Sequence, residues 1–154
     1  MTERTSSTIT INAPRADIMT VIADFPSYPE WAGAVRTVEV LDTEASGRAS
    51  RVRFALDAGV LKDTYVLGYS WENDSAVRWG LVEQGQVLSD MNGSYQLAEQ
   101  GTGGGSGEGA TASTEVTYEL AVDVKIPMIG MFKRKAEKVI IDTALKELKK
   151  RVEC

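Results

Sequence analysis

Residues 127–152 read PMIGMFKRKAEKVIIDTALKELKKRV, with Pro127 the only proline and Gly130 the only glycine of the stretch. A proline suits the first turn of a helix and nothing behind it breaks the pattern, so one helix is predicted from Pro127 to Val152. At 1.5 Å per residue it spans roughly 38 Å, about the width of a small domain. With about 100° of turn per residue, Ile129, Phe132, Ala136, Val139, Ile140 and Thr143 share one arc. Ile141, Leu145, Leu148 and Val152 share another, nearly opposite. A helix with two opposed apolar arcs needs two partners. The first half is read as facing an interior or ligand space and the second half as packed on a sheet. Lys133, Arg134, Lys135, Lys138, Lys146, Lys149 and Lys150 lie between the arcs or at their edges. A solid core on both sides is the competing reading, because close packing is the rule in protein interiors.

The stretch from about Ala34 to Lys125 carries the partner. Its periodicity is two rather than 3.6. Strand runs are expected at 34–42, 50–58, 61–72, 75–83, 86–98 and 113–125, separated by turn signals at Ser46-Gly47, Ala58-Gly59, Asn73-Asp74 and Gln84-Gly85. Connections this short make consecutive strands antiparallel neighbours, a meander. Alternation puts Val52, Phe54, Leu56, Leu61, Asp63, Tyr65, Leu67, Tyr69, Trp71, Val77, Trp79 and Leu81 on the inner face. Val87, Ser89, Met91, Tyr95, Leu97, Val116, Tyr118, Leu120, Val122 and Val124 continue it. Arg51, Arg53, Arg78, Asp90, Gln96, Glu115, Glu119 and Asp123 point outward. Ahead of the meander, Thr8–Asn12 alternates as a strand, a short helix runs from about 14 to 23 through Ile18, Val21 and Ile22, Asp24-Phe25-Pro26 ends it, and Ser27–Trp31 has room for one further turn. Tyr28 and Trp31 are expected to pack over the sheet's end, with the cavity mouth as the functional alternative. Gly101–Ser113, GTGGGSGEGATAS, lacks the Gly-Lys-Ser/Thr ending of a phosphate loop and is read as a flexible hairpin connection.

Composition narrows the chemistry. The 154 residues, 43% hydrophobic and 25% charged, suit one domain, 1–154. No apolar run reaches the roughly 18 residues of a membrane span, and Met1–Ser7 lacks the apolar centre of a secretory signal, so a cytoplasmic location is expected. The chain has no histidine, and its one cysteine is Cys154. Serine–histidine and cysteine–histidine catalysis and histidine-ligated metals are thereby excluded, and no metal, nucleotide or covalent cofactor is expected. Residues 1–127 carry 9 basic and 18 acidic side chains, whereas 128–154 carries 8 and 4. A body this acidic argues against nucleic acid as a partner. The basic closing segment is read chiefly as a solvated helix face, and in its functional reading as a transient contact for anionic membrane or an acidic carrier protein.

Several short patterns then carry a resemblance: Ile9-x-Ile-x-Ala-Pro14, Tyr28-Pro-Glu-Trp31, Val77-Arg-Trp79, Gly93-Ser-Tyr95, Val116-Thr-Tyr-Glu-Leu120 and Phe132-Lys-Arg-Lys-Ala-Glu-Lys138. Together the chain resembles the START-like (SRPBCC) superfamily, most of all its bacterial polyketide cyclase/dehydrase branch, along nearly its whole length. The resemblance implies an α+β helix-grip fold, about seven curved antiparallel strands around a long C-terminal helix with two short helices after the first strand. It also implies an apolar cavity between sheet and helix. The implied function is carriage or sequestration of a small hydrophobic or amphipathic ligand such as a polyketide, lipid or quinone. A polyketide aromatase/cyclase and a ligand-free protein-interaction module are the alternatives. The cyclases' inward arginine has no counterpart by parity here, so whether a reaction is catalysed stays open. The expected lining is Phe54, Tyr65, Tyr69, Trp79, Met91, Tyr95, Tyr118, Met128, Phe132 and Ala136, around a cavity of roughly 300 Å³ or more. Asp63, the one inward acid, is weighed as a general acid or base and more readily as a paired rim residue. Met128, Gly130 and Met131 at the helix start are a candidate gate, balanced by ordinary packing.

Overall fold

The computed structural model describes residues 5–57, 62–100, 113–125 and 130–153. Strand β1 (Thr5–Ile11) leads through Pro14 into helix α1 (Arg15–Ala23), a single 3-10 turn (Phe25–Ser27) and helix α2 (Tyr28–Trp31). Six strands follow: β2 (Val35–Thr43), β3 (Ala49–Asp57), β4 (Lys62–Glu72), β5 (Ala76–Glu83), β6 (Leu88–Gln100) and β7 (Ser113–Val124). Helix α3 (Gly130–Glu153) closes the chain. The expected runs agree with these strands to within two residues at each end, except that β1 begins earlier. Met128 of the candidate gate lies outside the described residues, as does the glycine-rich connection, while Gly130 and Met131 open α3.

All neighbours in the seven-stranded sheet are antiparallel, in the order β1-β7-β6-β5-β4-β3-β2. The meander runs from β2 to β7, and β1 returns to pair with β7 from Thr5↔Leu120 to Ile11↔Thr114. Asn73, at φ 52°, turns the chain between β4 and β5, a conformation asparagine tolerates better than most residues. The predicted two faces hold along most of the sheet. Val52, Val77, Val116 and Leu120 are fully buried, while Arg51, Arg53 and Arg78 stand exposed on the other side. Strict alternation lapses in several places: Val66, Ser94 and Ala121, on the outward parity, are buried, and β2 shows no two-residue period. A bulge between Leu88 and Asp90 breaks the register, so Leu88 is fully buried beside Val87, and Ser89, expected inside, is half-buried with its carbonyl accepting the Gln84 side chain at 3.0 Å.

Helix α3 packs on β1, β7 and α1. Ile141 and Leu148 are fully buried and Leu145 nearly so, as the second arc requires. Ile11, Ile18, Met19 and Ile22 meet them in the same core, each side chain contributing about 1.5–3 kcal/mol by leaving water. Met19, rather than Val21, is the third buried residue of α1. The arcs are not divided between two halves of α3, as the sequence led one to expect; they run side by side. In the first half the sheet side already holds Glu137, fully buried, accepting from the Val122 N–H at 2.7 Å and the Thr5 hydroxyl at 2.6 Å. Leu120 is the last β7 residue paired by the described part of β1, and beyond it the carboxylate accepts the Val122 N–H as a neighbouring strand's carbonyl would. No helix among the described residues is long and apolar enough to cross a membrane.

Candidate functional site

Between the concave face of the sheet and the other side of α3 lies a cavity of about 160 Å³. Strands β3 to β7 supply Phe54, Leu56, Tyr65, Leu67, Tyr69, Trp79, Met91, Tyr95, Tyr118 and Leu120. The α2 region adds Tyr28, Trp31, Ala32, Ala34 and Val35, and α3 adds Val139, Ile140, Thr143, Ala144 and Glu147. Seven residues expected from parity, Phe54, Tyr65, Tyr69, Trp79, Met91, Tyr95 and Tyr118, therefore border one space. Ala136 does not border it: it is half-buried, and the described helical wall begins at Val139, past the point where Glu137 draws α3 onto β7. Phe132 belongs to α3, but its side chain lies outside the description.

The cavity is smaller than the expected 300 Å³ because aromatic rings fill it. Phe25, which the sequence offered only as part of a helix stop, is fully buried in the 3-10 turn, with its ring 5.0 Å from Tyr28 and 4.9 Å from Tyr69. A continuous series follows: Tyr69–Trp79 at 5.8 Å, Trp79–Tyr95 and Trp79–Tyr118 at 5.5 Å, Tyr95–Tyr118 at 4.6 Å. Such pairs contribute about 0.5–1.5 kcal/mol beyond burial and fix the shape of the wall. Gly93 permits it: a Cβ there would fall 2.7 Å from the Trp79 ring and 2.7 Å from the Glu119 carbonyl oxygen, so only glycine lets the indole lie against β6. The remaining volume compares with the roughly 150 Å³ apolar cavity that accepts benzene.

Polar groups at the wall are few. Among the described residues Tyr28 is the one tyrosine whose hydroxyl finds a protein acceptor, the Ile22 carbonyl, which ties α2 to the end of α1. Burial pushes the hydroxyls of Tyr65, Tyr69, Tyr95 and Tyr118 well above the ordinary tyrosine range, and the first three are raised further by neighbouring tyrosines. They stay protonated and can donate. Asp63 sits at the rim. Its carboxylate accepts from the backbone N–H of Thr64, Gln86, Val87 and Leu88 at 2.8–3.1 Å, and Gly85 lies so close that a Cβ would overlap it. Burial alone would raise its pKa, but these bonds outweigh it and hold the carboxyl below the ordinary range. It is a staple for the β5–β6 turn. Trp71, also on the inner parity, is occupied outside the cavity: its indole donates to the Ala49 carbonyl at 2.8 Å, beneath the Arg48 guanidinium.

Two carboxylates escaped the sequence reading although the helical period marks both. Glu147 follows Ile140 and Thr143 by seven and four residues, on the cavity arc. Glu137 precedes Ile141 and Leu145 by four and eight, a lone acid on the sheet arc.

This architecture has relatives. The family described as polyketide cyclase / dehydrase and lipid transport matches residues 2–153. The chain belongs to that family. Among solved structures, this polyketide cyclase/dehydrase and lipid transport family member is similar to a START superfamily protein from Mycobacterium smegmatis, 22% identical with a TM-score of 0.84 over 97% of each chain. It is similar also to the Zhui aromatase/cyclase from Streptomyces sp. R1128, 14% identical with a TM-score of 0.75, over 99% of this chain and 94% of that one. A protein from Thermus thermophilus is 20% identical with a TM-score of 0.74, over 98% and 97%. At such identities the likeness carries the START-like helix-grip fold and nothing of activity. No curated protein sequence matches.

Within the family's fold the outward arginines of this chain are engaged in surface ion pairs, Arg53 with Glu39 at 2.7 Å, Arg51 with Asp42 at 3.6 Å and Arg78 with Glu72. On α3, Lys138 is held by Asp142 and Ser7, Lys149 by Glu153 and the Thr10 carbonyl, and Arg151 by Glu30. The basic face thus serves partly to seam the helix to β1 and α2. Lys135, Lys146 and Lys150 reach solvent.

Proposed function

We propose that the protein binds a small hydrophobic or amphipathic molecule, as a carrier or sequestering protein, in the cavity between sheet and α3. The observation that carries this reading is a 160 Å³ space walled by aromatic rings in a family that includes lipid transport, with Tyr65, Tyr69, Tyr95 and Tyr118 offering sparse hydroxyls to a ligand with few polar groups. Phe54, Tyr65, Tyr69, Trp79, Met91, Tyr95 and Tyr118 are its contacts, and Met128 and Phe132 remain proposed contacts near the start of α3. Native mass spectrometry of protein purified from its own host tests it. We expect a bound small molecule whose removal lowers the thermal midpoint. A protein that carries nothing, and that no apolar compound stabilises, would overturn the reading and favour a protein-interaction module.

An aromatase/cyclase reading is second. Protonated tyrosines beside one carboxylate, Glu147, supply a donor for an enolising carbonyl and an acceptor for its proton. Loading from an anionic membrane or an acidic carrier protein would use Lys135, Lys146 and Lys150, and retention on anionic vesicles at low salt, lost when the three are changed to glutamate, is its measurement.

A further inference from the structure

The cavity has one charged residue among its described lining, Glu147. Its carboxylate leans across the mouth from α3 to the loop after α2, where the Gly33 N–H donates to both oxygens at 3.2 and 3.3 Å. Those bonds are long and shared, and no lysine or arginine among the described residues borders the cavity to balance the charge. Arg151, one turn further along α3, is engaged with Glu30 at 3.3 Å. The carboxylate's field reaches inward, since it is among the groups that hold the Tyr95 hydroxyl protonated, after burial and the neighbouring Tyr118 and Tyr28. An anion entering here would lose water, find no cation among the described lining and meet a like charge. A neutral oxygen, by contrast, meets tyrosine hydroxyls that can donate.

We propose that Glu147 is a specificity residue that excludes anions, and that the cavity takes an uncharged aromatic ring bearing a carbonyl or ether oxygen rather than a fatty acid or other carboxylate. The proposal rests on the ligand-binding reading above and narrows it.

Three one-ring probes of similar size separate the terms: ethylbenzene, apolar; acetophenone, neutral with a carbonyl acceptor; and benzoate, an anion at neutral pH. Binding is followed by calorimetry or by tyrosine and tryptophan fluorescence for wild type, Glu147→Gln and Glu147→Asp. We expect acetophenone to bind better than ethylbenzene, and benzoate weakest of the three. Losing water disfavours benzoate in every variant, so the deciding quantity is the change between variants. Glu147→Gln keeps an acceptor for Gly33 and should improve benzoate relative to acetophenone about three- to tenfold, the scale of a partly screened like-charge contact. Glu147→Asp, which keeps the charge, should behave as wild type. Benzoate binding wild type as well as acetophenone does, or an unchanged benzoate affinity relative to acetophenone in Glu147→Gln, overturns the inference and leaves the ligand-binding reading standing. Failure of all three probes to bind overturns this inference, whereas the ligand-binding reading itself falls only on the native mass spectrometry and stabilisation result given above. A variant with a lowered thermal midpoint is judged by the ratio of its benzoate and acetophenone affinities, from which a loss of folded protein cancels.

Discussion

At the scale of single residues, acids decide more than their number suggests. Asp63 accepts four backbone N–H groups at the β5–β6 turn, and they hold its carboxyl below the ordinary range despite the opposing effect of burial. A depressed folded pKa means that the unfolded chain takes up the proton first. Its stabilisation is therefore complete above the unfolded value of about 4 and is lost as pH falls through the folded value below that. Asp63→Asn should be less stable than wild type at neutral pH, with the difference closing in acid below about pH 4. Urea midpoints taken across that range check it, and a constant difference would show that the carboxylate's charge plays no part. Parity alone had put this residue inside, between chemistry and a rim pairing; its neighbours in space chose the rim. Nothing in the local sequence foretold that the turn after Gln84 would fold back over it, since those donors lie 23–25 residues away.

Whole elements were easier to read, and the reason is period. Seven strands and the long helix announced themselves because burial on one face repeats every second residue in a strand and along an arc in a helix. The same arithmetic collected seven aromatic and methionine residues at the cavity. It failed where the backbone adds a residue, at the bulge before Asp90, and where a side chain crosses from a turn, as Phe25 does, because neither event has a period. The two faces of α3 also give a stability test. Leu148 is fully buried against the core, and Leu148→Ala should cost about 2–5 kcal/mol. Ile140 is half-buried and borders existing space, so Ile140→Ala, which deletes a similar volume, should cost distinctly less. Denaturant melts of both variants at one protein concentration decide; equal losses would mean that the cavity side of α3 is as tightly packed as the sheet side.

For the molecule as a whole, the cavity is what remains when a curved sheet and a helix meet along only one of the helix's two apolar arcs. Its volume was overestimated from sequence because the alternation says which rings face inward but not how closely they stack. The closing of the sheet by β1 has a consequence in time. Thr5 pairs with Leu120, so the strand made early must wait for more than a hundred further residues before its partner exists, and α3 arrives later still. During synthesis the inner face of the meander stands uncovered, with Trp79, Tyr95 and Tyr118 open to whatever apolar molecule or chaperone is near. A nascent chain of this kind meets candidate ligands before it has a lid to exclude them.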